Sequence, residues 1–138
     1  MELSTNLRST ADANRELSGT WDLELLANLL HIENVWCVAI TSGTGELLYS
    51  QQRRELPAKC PELLDVTTGV IANAGERLHV GQLRFTMFMF GGALVVGRRS
   101  DSGASAFVLA SPEANLGQLL AQIRRVHVGG EVWGERQS

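Results

Sequence analysis

The chain has 138 residues, 44% of them apolar and 20% charged, with a formal net charge of -3. That length suits one domain, able to bury about 68% of its unfolded surface without staples, and the mild acidity gives no electrostatic footprint for nucleic acid or an anionic membrane. No apolar run approaches the ~20 residues of a spanning helix, no signal peptide opens the chain, and the two cysteines, Cys37 and Cys60, read as reduced thiols, so the expectation is a cytoplasmic protein with no membrane partner.

Residues 1–19 are polar, with Ser4, Thr5, Asn6, Ser9, Thr10, Asp12 and Asn14 among scattered Leu and Ala, and read as a disordered segment. Thr20 is placed to cap a helix, with Asp22 and Glu24 in its first turn. Trp21, Leu25, Leu29 and Ile32 form its apolar stripe, with Leu26 and Leu30 beside it. Val35 to Thr41 is a continuous apolar run of strand length, covered on both faces. Ser42-Gly43-Thr44-Gly45 turns the chain into a second strand from Glu46 to Ser50. After the polar linker Gln51-Gln52-Arg53-Arg54, Pro57 opens a second helix. It carries Leu56, Cys60, Leu63, Thr67, Val70 and Ala74 at four-three spacing, with Leu64 and Ile71 as an adjacent stripe and Val66 on a further side. Its apolar surface is wide for one helix.

The next stretch is the most unusual. Leu83, Phe85, Met87 and Met89 alternate with Gln82, Arg84 and Thr86, and Phe88 and Phe90 make the second face apolar near Gly91-Gly92. A Gly-Gly pair can supply the positive φ angles of a tight hairpin, returning through Ala93 to Arg99. A strand with this much aromatic and Met surface is a candidate partner surface. Ser100-Asp101-Ser102-Gly103 turns into a last strand, Ala104 to Ala110. Asn115, with Gln118 three residues on, caps a final helix carrying Leu116, Leu119, Leu120, Ile123 and Val126, with Arg124 and Arg125 at its C-terminal end. Residues 129–138, which include Trp133, read as a flexible tail. The order helix, two strands, helix, three strands, helix implies an α+β sandwich: a five-stranded, mostly antiparallel sheet with three helices, in one domain over residues 20–128.

Chemistry is thin. His31, His79 and His127 lie on separate elements without metal-ligand spacing. The Gly-rich turn after Thr41 lacks the Lys-Ser/Thr of a nucleotide loop. Cys60 sits at a helix start, where the dipole can lower a thiol pKa, but no base is near it in sequence. No acid/base pair, nucleophile or metal set emerges, so the expectation is a non-enzyme without cofactors.

Several local phrases carry a family resemblance over about residues 20 to 128. Leu25-Leu26-Ala27-Asn28-Leu29 followed by Val35-Trp36-Cys37-Val38-Ala39-Ile40 is one. Gly45-Glu46-Leu47-Leu48, Gly92-Ala93-Leu94-Val95-Val96 and Ser105-Ala106-Phe107-Val108-Leu109-Ala110 are others. Asn115-Leu116-Gly117 after Ala110-Ser111-Pro112 is the most telling. In these the chain resembles the Roadblock domain family, the dynein light chain roadblock group with its bacterial and archaeal members. It departs where the family often has Pro-Gly-Val, since Glu33-Asn34-Val35 stands there.

The resemblance implies a homodimer in which two copies join through their third strands and their long second helices. Here those would supply Leu63, Thr67, Val70 and Ala74 from the helix and Leu83, Phe85, Met87 and Phe88 from the strand. An unpaired edge strand this apolar would be an aggregation hazard in a monomer. The family also implies a small Ras-like GTPase as partner, regulated or scaffolded through protein contacts, with Arg53, Arg54, Arg98 and Arg99 as candidate partner contacts. The competing expectation is a ligand-sensing or general interaction module of the PAS or GAF kind, with a pocket lined by residues such as Trp36, Phe85 and Met87.

Overall fold

The computed structural model describes Ser4–Leu7, Leu17 and residues 19–128. The tail with Trp133 lies outside the described residues. Strand β1 is Ser4–Leu7, and helix α1 is Leu23–Asn28, running into a 3-10 turn at Leu29–His31. Strands β2 (Val35–Thr41) and β3 (Leu47–Gln52) precede helix α2 (Cys60–Arg77). Strands β4 (Phe85–Met89), β5 (Leu94–Arg99) and β6 (Ser105–Ala110) follow, and helix α3 (Leu116–Val126) ends the domain.

The strands form one antiparallel sheet in the order β1-β3-β2-β6-β5-β4. The five strands and three helices expected from the sequence are all present. The sixth strand, β1, falls in the segment expected to be disordered, and so does Leu17, which is 5% exposed in the main core. An edge strand needs only backbone groups to pair, and polar residues supply those as well as apolar ones. A search for apolar patterning therefore passes over it.

The two faces of the sheet bury different things. The main core lies under α1 and α3, where Trp21, Leu26, Leu30, Val38, Ile40, Val96, Val108, Leu119 and Ile123 pack together. The other face carries a smaller cluster of Cys37, Val95, Phe107 and Leu109, covered by Trp36, Leu56, Cys60, Leu64 and Phe88. The register shifts between Val35 and Cys37, and this irregularity lets Trp36 and Cys37 join the same cluster while Val35 joins the other.

Local signals differ from the expectations in three details. The cap of α1 is Asp22, whose Oδ1 accepts from Leu25 N–H at 3.0 Å, two residues later than Thr20 would place it. Thr20 and Asp22 instead join the far end of the chain: Asp22 N–H donates to Val126 C=O and Val128 N–H to Thr20 C=O, each at 2.7 Å. Helix α2 starts at Cys60, with Pro61 rather than Pro57 in its first turn. The β4–β5 turn closes through Phe90 N–H to Ala93 C=O at 2.8 Å, and neither Gly91 nor Gly92 takes the positive φ expected of it. The cap at Asn115 is as expected, accepting from Gln118 N–H at 3.0 Å.

The departure at Glu33-Asn34-Val35 has a backbone explanation. Asn34 adopts a φ of 73°, the left-handed region where the Gly of Pro-Gly-Val would stand. Asn enters that region more readily than other residues with a Cβ, because its short amide bonds locally.

Candidate interaction surface

Helix α2 is amphipathic with the usual preference reversed. Its buried residues are Asp65, Thr68 and Ala72, spaced to share one face. The residues it turns to solvent include Leu63 (65% exposed), Val66, Val70 (67% exposed) and Ile71, with Thr67 and Ala74 exposed beside them. A surface helix ordinarily does the opposite.

The sheet beneath α2 explains part of this. Ala39, Phe107, Gly97 and Thr86 are successive partners across β2, β6, β5 and β4. A Cβ at Gly97 would sit 2.9 Å from two ring carbons of Phe107 and against Thr86 Oγ1, so the ring lies across the glycine. The neighbouring row on this face pairs Thr41 with Ser105. The hydroxyls of Thr41, Thr68, Thr86 and Ser105 are buried without a hydrogen-bond partner among the described residues. Beside the Phe107 ring, which Leu64 helps to cover, the layer between α2 and this part of the sheet is therefore small and polar, and Leu63, Val66, Val70 and Ile71 point away from it.

Asp65 fixes the rotation of the helix. It is 1% exposed, and its Oδ2 accepts from Gly43 N–H at 3.0 Å and Gly45 N–H at 2.8 Å. Both glycines hold positive φ, 93° and 92°, which aims their N–H groups at one point. With Asp65 committed inward to the β2–β3 turn, Leu63, Val66 and Val70 are held outward. The sequence offered a partial signal here: a turn with two glycines and converging donors needs an acceptor, and a lone acid on the next helix can provide it.

Strand β4 is an edge of the sheet. Phe85 packs partly into the main core, and Phe88 packs on the α2 side. Met87, Met89 and Phe90 are 47%, 71% and 57% exposed, and the Phe88 and Phe90 rings lie 6.4 Å apart. Leu83 is half-buried. Of the expected interface residues, Leu63, Thr67, Val70, Ala74 and Met87 are thus on the surface, while Leu83, Phe85 and Phe88 are partly committed to the chain's own packing.

The four arginines do not converge. Arg54 is exposed and stacks over Trp36 at 4.1 Å, a cation–π contact, with Arg53 beside it at the end of the sheet where β2 starts. Arg99 pairs across with Ser105 at the other end. Arg98 corrects the expectation: it is 1% exposed, lying over the Phe85 ring at 4.8 Å, and is not available to a partner. Sequence alone shows a basic doublet; strand alternation turns Arg99, half-buried, to the α2 side and Arg98 into the main core. Burial lowers the Arg98 pKa, with Arg84 adding to the effect.

The two cysteines are free thiols. The Cys37 thiol is pushed up to about 12 by burial and by Cys60. Cys60 is pushed up by burial and by Glu62, against the lowering a helix start can give. No group of three metal-ligating side chains comes together among the described residues, and no described helix is long and apolar enough to cross a membrane. Trp36 packs on the α2 side while Phe85 packs on the other, so these residues cannot line one pocket. A cavity of about 280 Å³ lies elsewhere, between Leu17, Thr20, Trp21, Ser42, Leu48, Ser102 and Ala104.

No family model and no curated protein matches the sequence. Solved structures do. A Roadblock/LC7 domain from Streptomyces avermitilis is similar with a TM-score of 0.59 at 17% identity, over 74% of this chain and 88% of that one. A structure described as MglB with tetrameric arrangement gives 0.67 at 13% identity, over 86% and 87%. The gliding protein MglB of Thermus thermophilus gives 0.64 at 15% identity, over 86% and 87%. The fold is therefore that of a Roadblock/LC7 domain.

Proposed function

We propose that the chain is a dimeric regulator or scaffold of a small Ras-like GTPase, acting through protein contacts rather than chemistry of its own. The observation that carries the dimer is the reversed helix α2: a row of Leu63, Val66, Val70 and Ile71 faces solvent, on the side of the sheet where the edge strand β4 presents Phe88. Apolar surface arranged in this way on a helix and an adjoining sheet edge fits a self-complementary contact about a twofold axis. Covering it with a second copy would also remove the exposed edge of β4. The fold it shares with MglB structures supports the GTPase reading.

Light scattering on the eluting protein tests the first half. The expected mass is twice 15.0 kDa, falling to one copy in Val70→Asp. Mixing with Ras-like GTPases in each nucleotide state tests the second half. Nucleotide-dependent binding or a changed hydrolysis rate is expected, and a partner bound with no change in turnover leaves the scaffold role. A wild-type monomer would overturn the dimer.

A further inference from the structure

We propose that residues 129–138, which lie outside the described residues, dock through Trp133 and Glu131 on a ledge formed by β4 and α3 of their own chain. Phe85, Met87 and Met89 alternate to one face of β4, and the packing of Phe85 puts that face on the main-core side of the sheet, opposite α2. There α3 packs over β5 and β6. β4 is the strand beyond β5, so it forms a ledge beside the helix, with Met87 and Met89 largely open to solvent. On α3, the half-buried Leu120 lies one turn before Arg124 and shares its side of the helix.

The floor of the ledge is apolar and its rim is basic. Arg84 and Arg124 stand near Arg98, with Asp101 as the acidic neighbour, and Arg124 and Arg125 are exposed. A floor and rim of this kind suit an acidic segment with an aromatic anchor. The segment that follows α3 has that chemistry: Gly129-Gly130-Glu131-Val132-Trp133-Gly134-Glu135. A methionine thioether also makes favourable contacts with an aromatic ring.

The point where the chain leaves α3 agrees with this occupant. His127 stands near Arg98, and Arg98 is the cross-strand partner of Phe85 at the start of β4. The segment therefore begins at the Phe85 end of the ledge. From Phe85 to Met89 the strand rises about 13 Å, and the chain from Val128 to Trp133 can span ~17 Å. Gly129-Gly130 gives the backbone freedom to turn along the strand, and Glu131 then lies against the arginine rim. The contact is on the side of the sheet away from α2 and does not depend on the dimer proposed above.

The test is methyl NMR on the full chain. It has three methionines, Met1, Met87 and Met89, so selective carbon-13 labelling of their methyl groups reads the ledge directly, with Met87→Leu and Met89→Leu assigning the signals. A docked Trp133 ring displaces the Met87 and Met89 signals through its ring current. Trp133→Ala is expected to move both by more than a linewidth and to leave Met1 in place. Glu131→Lys with Glu135→Lys is expected to move the same two signals in the same direction, because the arginine rim then repels the segment. Unmoved Met87 and Met89 signals in either variant would overturn the inference. A displacement in the full chain that fades on dilution would assign the segment to a second copy and overturn it as well.

Discussion

The ring of Phe107 occupies the space that a side chain at Gly97 would need, its carbons 2.9 Å from where a Cβ would stand. The two residues are direct cross-strand partners in β6 and β5, and both are buried. Gly97→Ala is expected to destabilise the fold by roughly 1–3 kcal/mol through overpacking. Urea unfolding measures it. The double variant with Phe107→Leu is expected to lose less than the sum of the two single changes, because the smaller side chain vacates the contested space. Strict additivity would show that the two do not compete.

Asp65 holds Gly43 and Gly45 through one carboxylate oxygen. Asp65→Ala leaves two N–H groups without their acceptor at the base of α2. A loss of about 3 kcal/mol is expected, since hydrogen bonds to a charged group exceed neutral ones. Amide exchange at Gly43 and Gly45 should accelerate with it. Unchanged exchange at those two amides would show that the turn holds itself.

Helix α2 ends in a Schellman motif. Val80 N–H reaches Gly75 C=O and His79 N–H reaches Glu76 C=O, both at 3.1 Å, with His79 at φ 59°. Glycine is the usual residue at that position because it has no Cβ to clash. His79 is exposed, so His79→Gly is expected to stabilise the protein by about 1 kcal/mol. The thermal midpoint reports it, and a fall would mean that the imidazole contributes contacts that outweigh the strain.

His127 makes stability depend on pH. Its ring meets Trp21 edge-on at 5.3 Å, and its Nδ1 is buried without a partner among the described residues. Burial lowers its pKa, the nearby Arg98 adds to this, and Asp101 opposes it. Arg84 and Arg124 stand near Arg98 and add positive charge to the same region. The fold therefore favours the neutral ring, and the unfolded chain binds more protons between the two pKa values. This contribution is fully present above the ordinary histidine value of ~6.5 and is lost as pH falls through the lower folded value. The urea midpoint is expected to drop between about pH 7.5 and about pH 5.5, with a smaller drop in His127→Phe. Equal drops in both would assign the effect to other groups.

Val70→Asp and Phe85→Asp separate association from folding. Val70 is 67% exposed in a single copy, so an aspartate there keeps the fold and is expected to abolish self-association by burying a charge at the contact. Phe85 packs against the main core and under Arg98, so Phe85→Asp is expected to lower stability as well. A folded dimer in Val70→Asp at low micromolar concentration would place the contact elsewhere.

The sequence by itself determined the order of helices and strands, because hydrophobic period and turn chemistry are local properties. The stripe Leu116, Leu119, Leu120, Ile123, the Asn115 cap and the apolar run of β2 each specify their element without knowledge of the rest. It also marked α2 and β4 as unusually apolar. What it could not show was which way those elements face. Periodicity gives the width of an apolar stripe, whereas the side turned to the sheet is set by partners distant in sequence. Asp65 reaching Gly43 and Gly45, and Phe107 crossing Gly97, decide that α2 buries its polar side. The same holds for Arg98 and Arg99, adjacent in sequence and sent to opposite faces by the strand. It holds too for β1, where backbone pairing with β3 imposes a strand that its polar side chains do not announce. Local patterns fixed the elements; the long-range contacts decided their orientation, and with it the surface left for a partner.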